Sequence, residues 1–343
     1  MTSAKNSSSN SPIIAVIFCT FASKRTKKIA SPPISNRIHR AKPQMKTKAK
    51  GYIAGILAAV FYGTNPLGAL PLYDHGFTSG NVLFYRYGLA TIFFAVWMLI
   101  RKEKFSISRG YAIKFSLLGA MFALSSILLF ASFLFMNAGV ASTILFSYPI
   151  MTALLMVIFY REHITTITVI SLALAIGGIG LLYRGDGQET LSVTGVLLVL
   201  GSSLLFAIYI VYAKQFKIKM SPVKSTFWII FFGWIVIVGY MFFTGDSVQL
   251  PRQPIEWGCI VLLALMPTLL SLYFLNISIQ SIGSTLSSIL GALEPVTAVV
   301  ISTFVFGEPF TVRLAIGIVL ILSAVLLIIG GNGMLKKLLH KNV

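Results

Sequence analysis

The residues best placed for chemistry are two ionisable side chains inside long apolar stretches. Glu294 lies eleven residues into the stretch 283–305, about 16 Å along a helix, and Arg86 lies some six residues inside the stretch 80–100. A charge at such depth in a membrane is costly and by default faces a cavity or a partner. We expect a polar site in which Arg86 receives a carboxylate as a planar fork. Glu294 then either holds an amine or titrates as a coupling proton site.

Two structural interpretations compete with this site. Arg86 and Glu294 could form an ion pair with each other, or Glu294 could satisfy backbone groups loosened by Pro295. Exchanging Glu294 for glutamine would separate a scaffold from a transporter, because a scaffold should tolerate the change and a transporter should fold but lose flux or pH dependence.

Prolines within the apolar stretches predict helix breaks beside this site. Pro149 and Pro295 each remove a helical hydrogen bond and free a carbonyl, and Pro66 lies in the breakable stretch Tyr62-Gly63-Thr64-Asn65-Pro66. Breaks at membrane depth are tolerated where they line a cavity or meet a neighbouring helix. Polar and aromatic residues of the same stretches could line a pocket for an amphipathic solute. They are Asn65, Tyr62, Tyr148, Tyr209, Trp234 and Tyr273.

No pattern in the sequence predicts catalysis, a metal or a cofactor. His75 beside Asp74 and His163 beside Glu162 have no third ligand at metal spacing. A nucleophile elbow, a P-loop and a dinucleotide motif are all missing from the sequence. Transport driven by ATP would therefore need another chain, and we expect secondary coupling.

Composition predicts that these residues lie in a lipid bilayer. The chain is 56% hydrophobic and 11% charged, whereas soluble domains carry about 25% charged residues. The net charge of +19 does not indicate nucleic acid, since the basic residues fall in short runs between apolar segments. Ten apolar stretches have the length that a bilayer requires, and we expect continuous helices. They cover roughly 51–71, 80–100, 111–136, 139–159, 165–183, 193–214, 222–243, 255–280, 283–305 and 311–331.

The distribution of Lys and Arg predicts the orientation of these spans. With both termini cytoplasmic, the inner segments hold 23 basic residues and the outer loops hold only Arg184, Arg252 and Arg313. The sequence thus predicts a multi-pass protein of the inner membrane with both termini inside.

The two halves of the chain read as copies of each other. Pro149 precedes Glu162 by thirteen residues, and Pro295 precedes Glu308 by the same interval. Five spans is an odd number, so the second copy would enter the membrane from the opposite side. Inverted repeats allow one fold to supply inward-open and outward-open states.

These motifs resemble the EamA-like branch of the drug/metabolite transporter superfamily over essentially all of 51–331. They are Pro149 to Glu162, Leu293-Glu294-Pro295 with Phe306-Gly307-Glu308, and Phe84-Tyr85-Arg86-Tyr87. The first half departs from the pattern, because Tyr148 stands where Glu294 stands in the second. The resemblance implies ten helices, alternating access, and export of amino acids, metabolites or drugs.

The sequence therefore predicts an all-α polytopic membrane protein of two inverted five-helix repeats, 51–183 and 193–331. A basic extension, 1–50, precedes them and a basic cytoplasmic tail, 332–343, follows. We expect residues 1–44 to be disordered and translation to begin at Met45; a genuine basic tail is the alternative. The expected partners are the lipid bilayer and a small solute. The rival functions are a membrane-embedded enzyme using Glu294 as a base, a non-transporting scaffold, and a drug, sugar-phosphate or nucleotide-sugar carrier.

Overall fold

A computed structural model describes residues 41–160, 166–183, 192–216, 220–282, 287 and 290–339. Apart from the first four residues of α1, the helices below belong to the compact unit 45–343. The helices are α1 (Ala41–Tyr62), α2 (Asn65–Asp74), α3 (Ser79–Ile100), α4 (Arg109–Ser132), α5 (Ala138–Leu145), α6 (Tyr148–Tyr160), α7 (Thr166–Tyr183), α8 (Val193–Gln215), α9 (Pro222–Thr244), α10 (Pro254–Ala264), a π-helix (Leu265–Leu270), α11 (Ser271–Ile282), α12 (Leu293–Phe306) and α13 (Val312–Leu339).

The described residues form helices and no strands, which confirms the all-α prediction for this part of the chain. Seven helical segments are long and apolar enough to cross a bilayer, and three shorter apolar helices fall on the remaining predicted spans. Large apolar side chains such as Phe243 and Phe304 are more than four-fifths exposed, as expected for surfaces that face lipid. The count of ten spans and their inversion stay predictions.

Helices also extend into both predicted flanking segments. Helix α1 begins at Ala41, inside the extension predicted for 1–50, and α13 continues to Leu339, inside the predicted tail. Pro43 lies in the first turn of α1, where proline is tolerated, and the glycine pair Gly330-Gly331 at the second predicted boundary does not end α13.

Several spans are interrupted rather than continuous. A turn at Gly63–Thr64 separates α1 from α2, a turn at Phe146–Ser147 separates α5 from α6, and α12 begins after a turn at Gly291–Ala292. Each interruption lies next to Pro66, Pro149 or Pro295, whose missing N–H prevents a regular ladder of hydrogen bonds. The span from Pro254 to Ile282 instead widens into the π-helix around Pro267. The expectation of continuous helices was therefore wrong at these points.

The broken helices pack in the middle of the described bundle. Helix α5 lies on α12, and α2 lies on both α12 and α10. Helix α3 packs along α9, while α4 contacts α8 and α9. This arrangement brings the turn after α1, the start of α12 and the π-helix toward the same region as Arg86 of α3.

Gly63, at the break between α1 and α2, packs so closely against α12 that a side chain there should destabilise the fold. A Cβ atom at Gly63 would lie 2.6 Å from Thr297 Cβ and 2.7 Å from the Glu294 carbonyl oxygen. We expect Gly63→Ala to lower the free energy of unfolding by about 1–3 kcal/mol, because backbone atoms must separate to admit the methyl group. Thermal unfolding in detergent measures the effect. Gly177→Ala is the control, since a Cβ atom there meets open space; equal melting temperatures for the two variants would contradict the prediction.

Candidate functional site

Arg86 is the most deeply buried charge among the described residues. Only 1% of its surface is exposed, and it is the eighth residue of α3. Its Nε donates a hydrogen bond to Thr268 Oγ1 at 3.0 Å, and its guanidinium carbon lies 5.2 Å from the centroid of the Phe130 ring. Its Nη2 is buried and has no hydrogen-bond partner. An unpaired donor on a buried cation is costly, so this atom is available to an anionic ligand.

The π-helix determines which way Arg86 points. Pro267 has no N–H, so the Leu263 carbonyl four residues earlier lacks its usual helical donor. The Thr268 hydroxyl donates to that carbonyl at 3.0 Å. Because its single hydrogen is used there, the oxygen of Thr268 can only accept from Arg86 Nε. The hydroxyl therefore holds one side of the guanidinium and leaves the Nη groups for other partners.

Thr268→Val tests this positioning role. The variant keeps the shape of the side chain but removes the acceptor for Arg86 Nε and the donor for Leu263. We expect the transport rate to fall about tenfold or more, the usual cost of losing a hydrogen bond to a charged group. Thr268→Ser keeps the hydroxyl and should restore most of the rate. A valine variant as active as the serine variant in a flux assay would show that the hydroxyl has no such role.

At the break between α1 and α2, as in the π-helix, a proline frees a main-chain carbonyl and the side chain of a neighbouring residue donates to it. Pro66 leaves the Tyr62 carbonyl without its helical donor, and Asn65 Nδ2 donates to that carbonyl at 2.8 Å. Asn65 is 4% exposed, and its Oδ1 is buried without a hydrogen-bond partner. The amide nitrogen of Asn65 therefore satisfies the carbonyl group freed at the break, and its amide oxygen stays without a donor inside the bundle.

Glu294 lies in the first turn of α12, and its side chain is half-buried. It is within electrostatic range of Tyr62 and of Tyr148. Tyr62 is also within electrostatic range of Arg86, and Tyr209 within that of Tyr62. The structure thus brings together a cation, a carboxyl group and three phenol hydroxyls that the sequence analysis had selected separately.

Arg86 and Glu294 do not form an ion pair. The structural interpretation in which these two residues neutralise each other is therefore wrong for this conformation. The Glu294 backbone N–H donates to the Gly291 carbonyl at 2.9 Å, so the carbonyl freed by Pro295 is satisfied by main chain and leaves the Glu294 carboxyl group available.

The aromatic walls of this cluster come from both halves of the chain. Tyr148, at the start of α6, packs edge-on against Phe206 of α8 with centroids 4.8 Å apart. Tyr209 stacks on Phe206 and contacts Phe122 of α4. We call the group Asn65, Tyr62, Arg86, Tyr148, Tyr209, Glu294 and Thr268 the central cluster. It combines one cation, one carboxyl group, an amide, a hydroxyl and three tyrosines.

Two predicted pocket residues lie elsewhere. Trp234 packs between α9 and α3, against Phe84 with centroids 5.6 Å apart. Tyr273 contacts Trp97 at 4.8 Å and lines a separate cavity of about 240 Å³ at the end of α3 that carries Arg101. That cavity is roughly 16 Å along α3 from Arg86. Sequence position alone could not separate these aromatic residues from the central ones, because every one of them lies in an apolar span.

Some of the other residues selected from the sequence lie within the described part of the chain and some lie outside it. Pro66, Pro149 and Pro295 flank the interruptions described above. Glu162 and His163 lie outside the described residues. Within the part of the chain that the structure describes, no group of three His, Cys, Asp or Glu residues could hold a metal ion. Thr268 and Pro267 were missed, although a proline followed by a hydroxyl residue in the middle of a predicted span was a readable signal.

The fold and the site define a multi-pass helical membrane protein with an ionisable cluster in its interior. The model of the EamA-like transporter family matches residues 49–184 and again residues 193–330. The chain belongs to this family, which confirms the resemblance inferred from its motifs.

Proteins similar to this chain bear transporter names. Uncharacterized transporter YyaM of Bacillus subtilis is 27% identical over 73% of this chain and 84% of its own length. An uncharacterized transporter of Archaeoglobus fulgidus is 24% identical over 71% of this chain and 86% of its own length. A solved crystal structure of a protein that is 15% identical superposes with a TM-score of 0.59, over 82% of this chain and 96% of the other. That likeness concerns the fold alone.

Proposed function

We propose that this protein is a secondary transporter that moves a small amphipathic metabolite with a carboxylate, such as an amino acid, across the inner membrane by alternating access. The observation that carries the proposal is the unpartnered Nη2 of the buried Arg86. The direction we propose is export, which is the expectation for the family. We also propose that the protein has no enzymatic role, since the family and the similar proteins named above are transporters.

A carboxylate is the group that best fits the free side of Arg86. Thr268 holds Nε, and Phe130 covers one face of the guanidinium, so the planar fork of nitrogen donors faces the interior. In a site shielded from water, pairing with an anion removes the cost of an uncompensated charge. A sugar phosphate or nucleotide sugar carries more negative charge, and the central cluster has only one cation to receive it.

Alternating access is supported by the repeated organisation of the chain. The family model matches twice, and proline interruptions occur at Pro149 in the first match and Pro295 in the second. Breaks at matched positions of two repeats commonly form the substrate site of secondary transporters. The excess of Lys and Arg in the predicted inner segments supports cytoplasmic termini.

An export comparison tests the proposal. Extracellular metabolites of bacteria that express the chain are compared with those of cells expressing Arg86→Ala at equal membrane abundance. We expect at least one carboxylate-bearing solute to accumulate outside only with the intact chain. Arg109→Ala is the matched control, because Arg109 is exposed at the start of α4, and it should export normally. Equal export by the intact chain and Arg86→Ala for every solute would contradict the proposal.

A further inference from the structure

Helices α3 and α9 end in the same way. After α3, Lys102 adopts a left-handed conformation with φ of 55°, and after α9, Gly245 does so with φ of 73°. The next residue then donates its N–H back into the helix: Glu103 to the Met98 carbonyl, and Asp246 to the Met241 carbonyl, both at 2.9 Å. This is the hydrogen-bond pattern of a Schellman motif. Glycine is the usual residue for it, so lysine at 102 indicates that the conformation is required there.

Each motif directs a carboxylate onto the first residue of the other helix. Asp246 Oδ2 accepts a hydrogen bond from Thr78 Oγ1 at 3.1 Å, and Thr78 is the N-cap of α3. Glu103 Oε2 accepts one from Ser221 Oγ at 2.5 Å, and Ser221 is the N-cap of α9. Hydrogen bonds to a carboxylate are stronger than neutral ones. We call these contacts the Thr78 clasp and the Ser221 clasp.

The two clasps are equivalent by position in the repeats. Each member of one clasp lies 143 residues from its counterpart in the other, and the same interval separates the two left-handed residues and the two accepting carbonyls. The matching pairs are Thr78 and Ser221, Met98 and Met241, Lys102 and Gly245, and Glu103 and Asp246. Because four pairs of equivalent residues share this interval, the same structural arrangement occurs once in each half of the chain.

Neighbouring hydrogen bonds reinforce both clasps. At the Thr78 clasp, Asn81 donates to the Ser247 carbonyl and accepts from the Gln249 N–H, and the Tyr85 hydroxyl donates to the Gln249 carbonyl at 2.6 Å. At the Ser221 clasp, Lys224 Nζ donates to the Ser106 carbonyl at 2.8 Å. The clasps lie at opposite ends of α3, which are about 33 Å apart.

The middle of the two helices is in close contact as well. A Cβ atom at Gly233 would lie 2.9 Å from the Tyr87 ring, and one at Gly88 would lie 3.1 Å from Trp234 Nε1. Helices α3 and α9 are therefore joined at both ends and packed between them. Two alternating gates would require one clasp to be open while the other is closed, and here both are formed together.

We propose that α3 and α9 form a rigid unit whose clasps stay closed throughout the conformational cycle, while the helices interrupted at Pro66, Pro149 and Pro295 move against it. The proposal rests on the alternating access proposed above. Arg86 belongs to α3, so the unit carries the cation at a constant position, whereas Tyr148 and Glu294 belong to the interrupted helices. The solute is then held by a stationary guanidinium and exposed to either side by the moving helices.

Simultaneous cross-linking of both clasps tests the proposal without a known substrate. In a background with Cys19→Ser and Cys259→Ala, one variant carries Thr78→Cys with Asp246→Cys, a second carries Glu103→Cys with Ser221→Cys, and a third carries all four changes. A short bis-methanethiosulfonate reagent is applied to membranes, and peptide mass spectrometry follows each link over time. Thr78→Cys with Glu103→Cys is the control, because these positions lie at opposite ends of α3 and should not link.

We expect the second link to form in the four-cysteine variant at the same rate, within about twofold, whether or not the first is present. A second link slowed tenfold or more by the first would overturn the proposal and identify the clasps as alternating gates. Doubly linked protein should also retain export of the solute found for the unlinked chain, and loss of export that thiol reduction restores would overturn it too. Absence of export by the unlinked chain would contradict the proposed function instead, and the linking rates would still decide whether the clasps coexist.

Discussion

We expect Arg86→Met to abolish transport and to leave the protein at least as stable as the original. Arg86 is 1% exposed, its Nε donates a hydrogen bond to Thr268, and its Nη2 has no partner. A buried charge of this kind destabilises a fold, and an apolar side chain of similar length removes the cost. The expected flux is below about one hundredth of the original, since the loss of a charged bidentate contact exceeds the ~1.5–3 kcal/mol of a single charged hydrogen bond.

Arg86→Lys separates the charge from the geometry. Lysine keeps the cation but cannot donate to Thr268 and present a planar fork at the same time, so we expect a rate reduced about tenfold or more. Flux of the solute identified by the export comparison and thermal unfolding in detergent measure both effects. A methionine variant that unfolds at a much lower temperature would show instead that Arg86 is retained for structure.

The second large effect is expected at Glu294. Glutamine has nearly the shape of glutamate but cannot ionise, so Glu294→Gln should fold normally and lose function. If the carboxyl group carries the coupling proton, flux driven by a pH gradient disappears while exchange of solute for solute persists. If it holds the amine of the solute, the apparent affinity falls about tenfold to a hundredfold, as expected when a charged hydrogen bond is lost.

Glu308→Gln is the control for this experiment. Glu308 lies beyond the other end of α12, where its Oε1 accepts the Ala138 N–H at 3.2 Å, and a glutamine oxygen can accept the same bond. We expect this variant to transport with the original rate and pH profile. Flux and pH profile unchanged in both variants would remove Glu294 from the mechanism.

Much of the fold was predictable because it depends on local chemistry. The apolar stretches predicted helices, and the prolines at 66, 149 and 295 predicted interruptions that the structure contains. Arg86 and Glu294 stood out because ionisable residues are rare at such depth. The repeated spacing of proline and glutamate predicted the family, which the family model confirms. The substrate-binding role of the selected residues stays a prediction.

The sequence could not predict which face of each helix is buried, because the helices are surrounded by lipid rather than water. In water, an apolar stripe shows which face of a helix is buried, but in lipid both faces are apolar and the stripe disappears. Met98 is fully buried, whereas Ile100 on the same helix is 75% exposed. For the same reason Tyr62 and Tyr209 could not be told from Trp234 and Tyr273, which the structure places away from the central cluster.

The sequence by itself therefore determined a membrane-embedded helical bundle, its family, its proline interruptions and the two interior charges, because hydropathy, proline and charge each act within a few residues. Only the tertiary structure decided that Thr268 holds Arg86 across 182 positions of the chain, that Glu294 is free of Arg86, and that α3 and α9 are clasped at both ends. Those contacts join residues far apart in the chain through one or two hydrogen bonds, and no local pattern encodes which distant partner completes them.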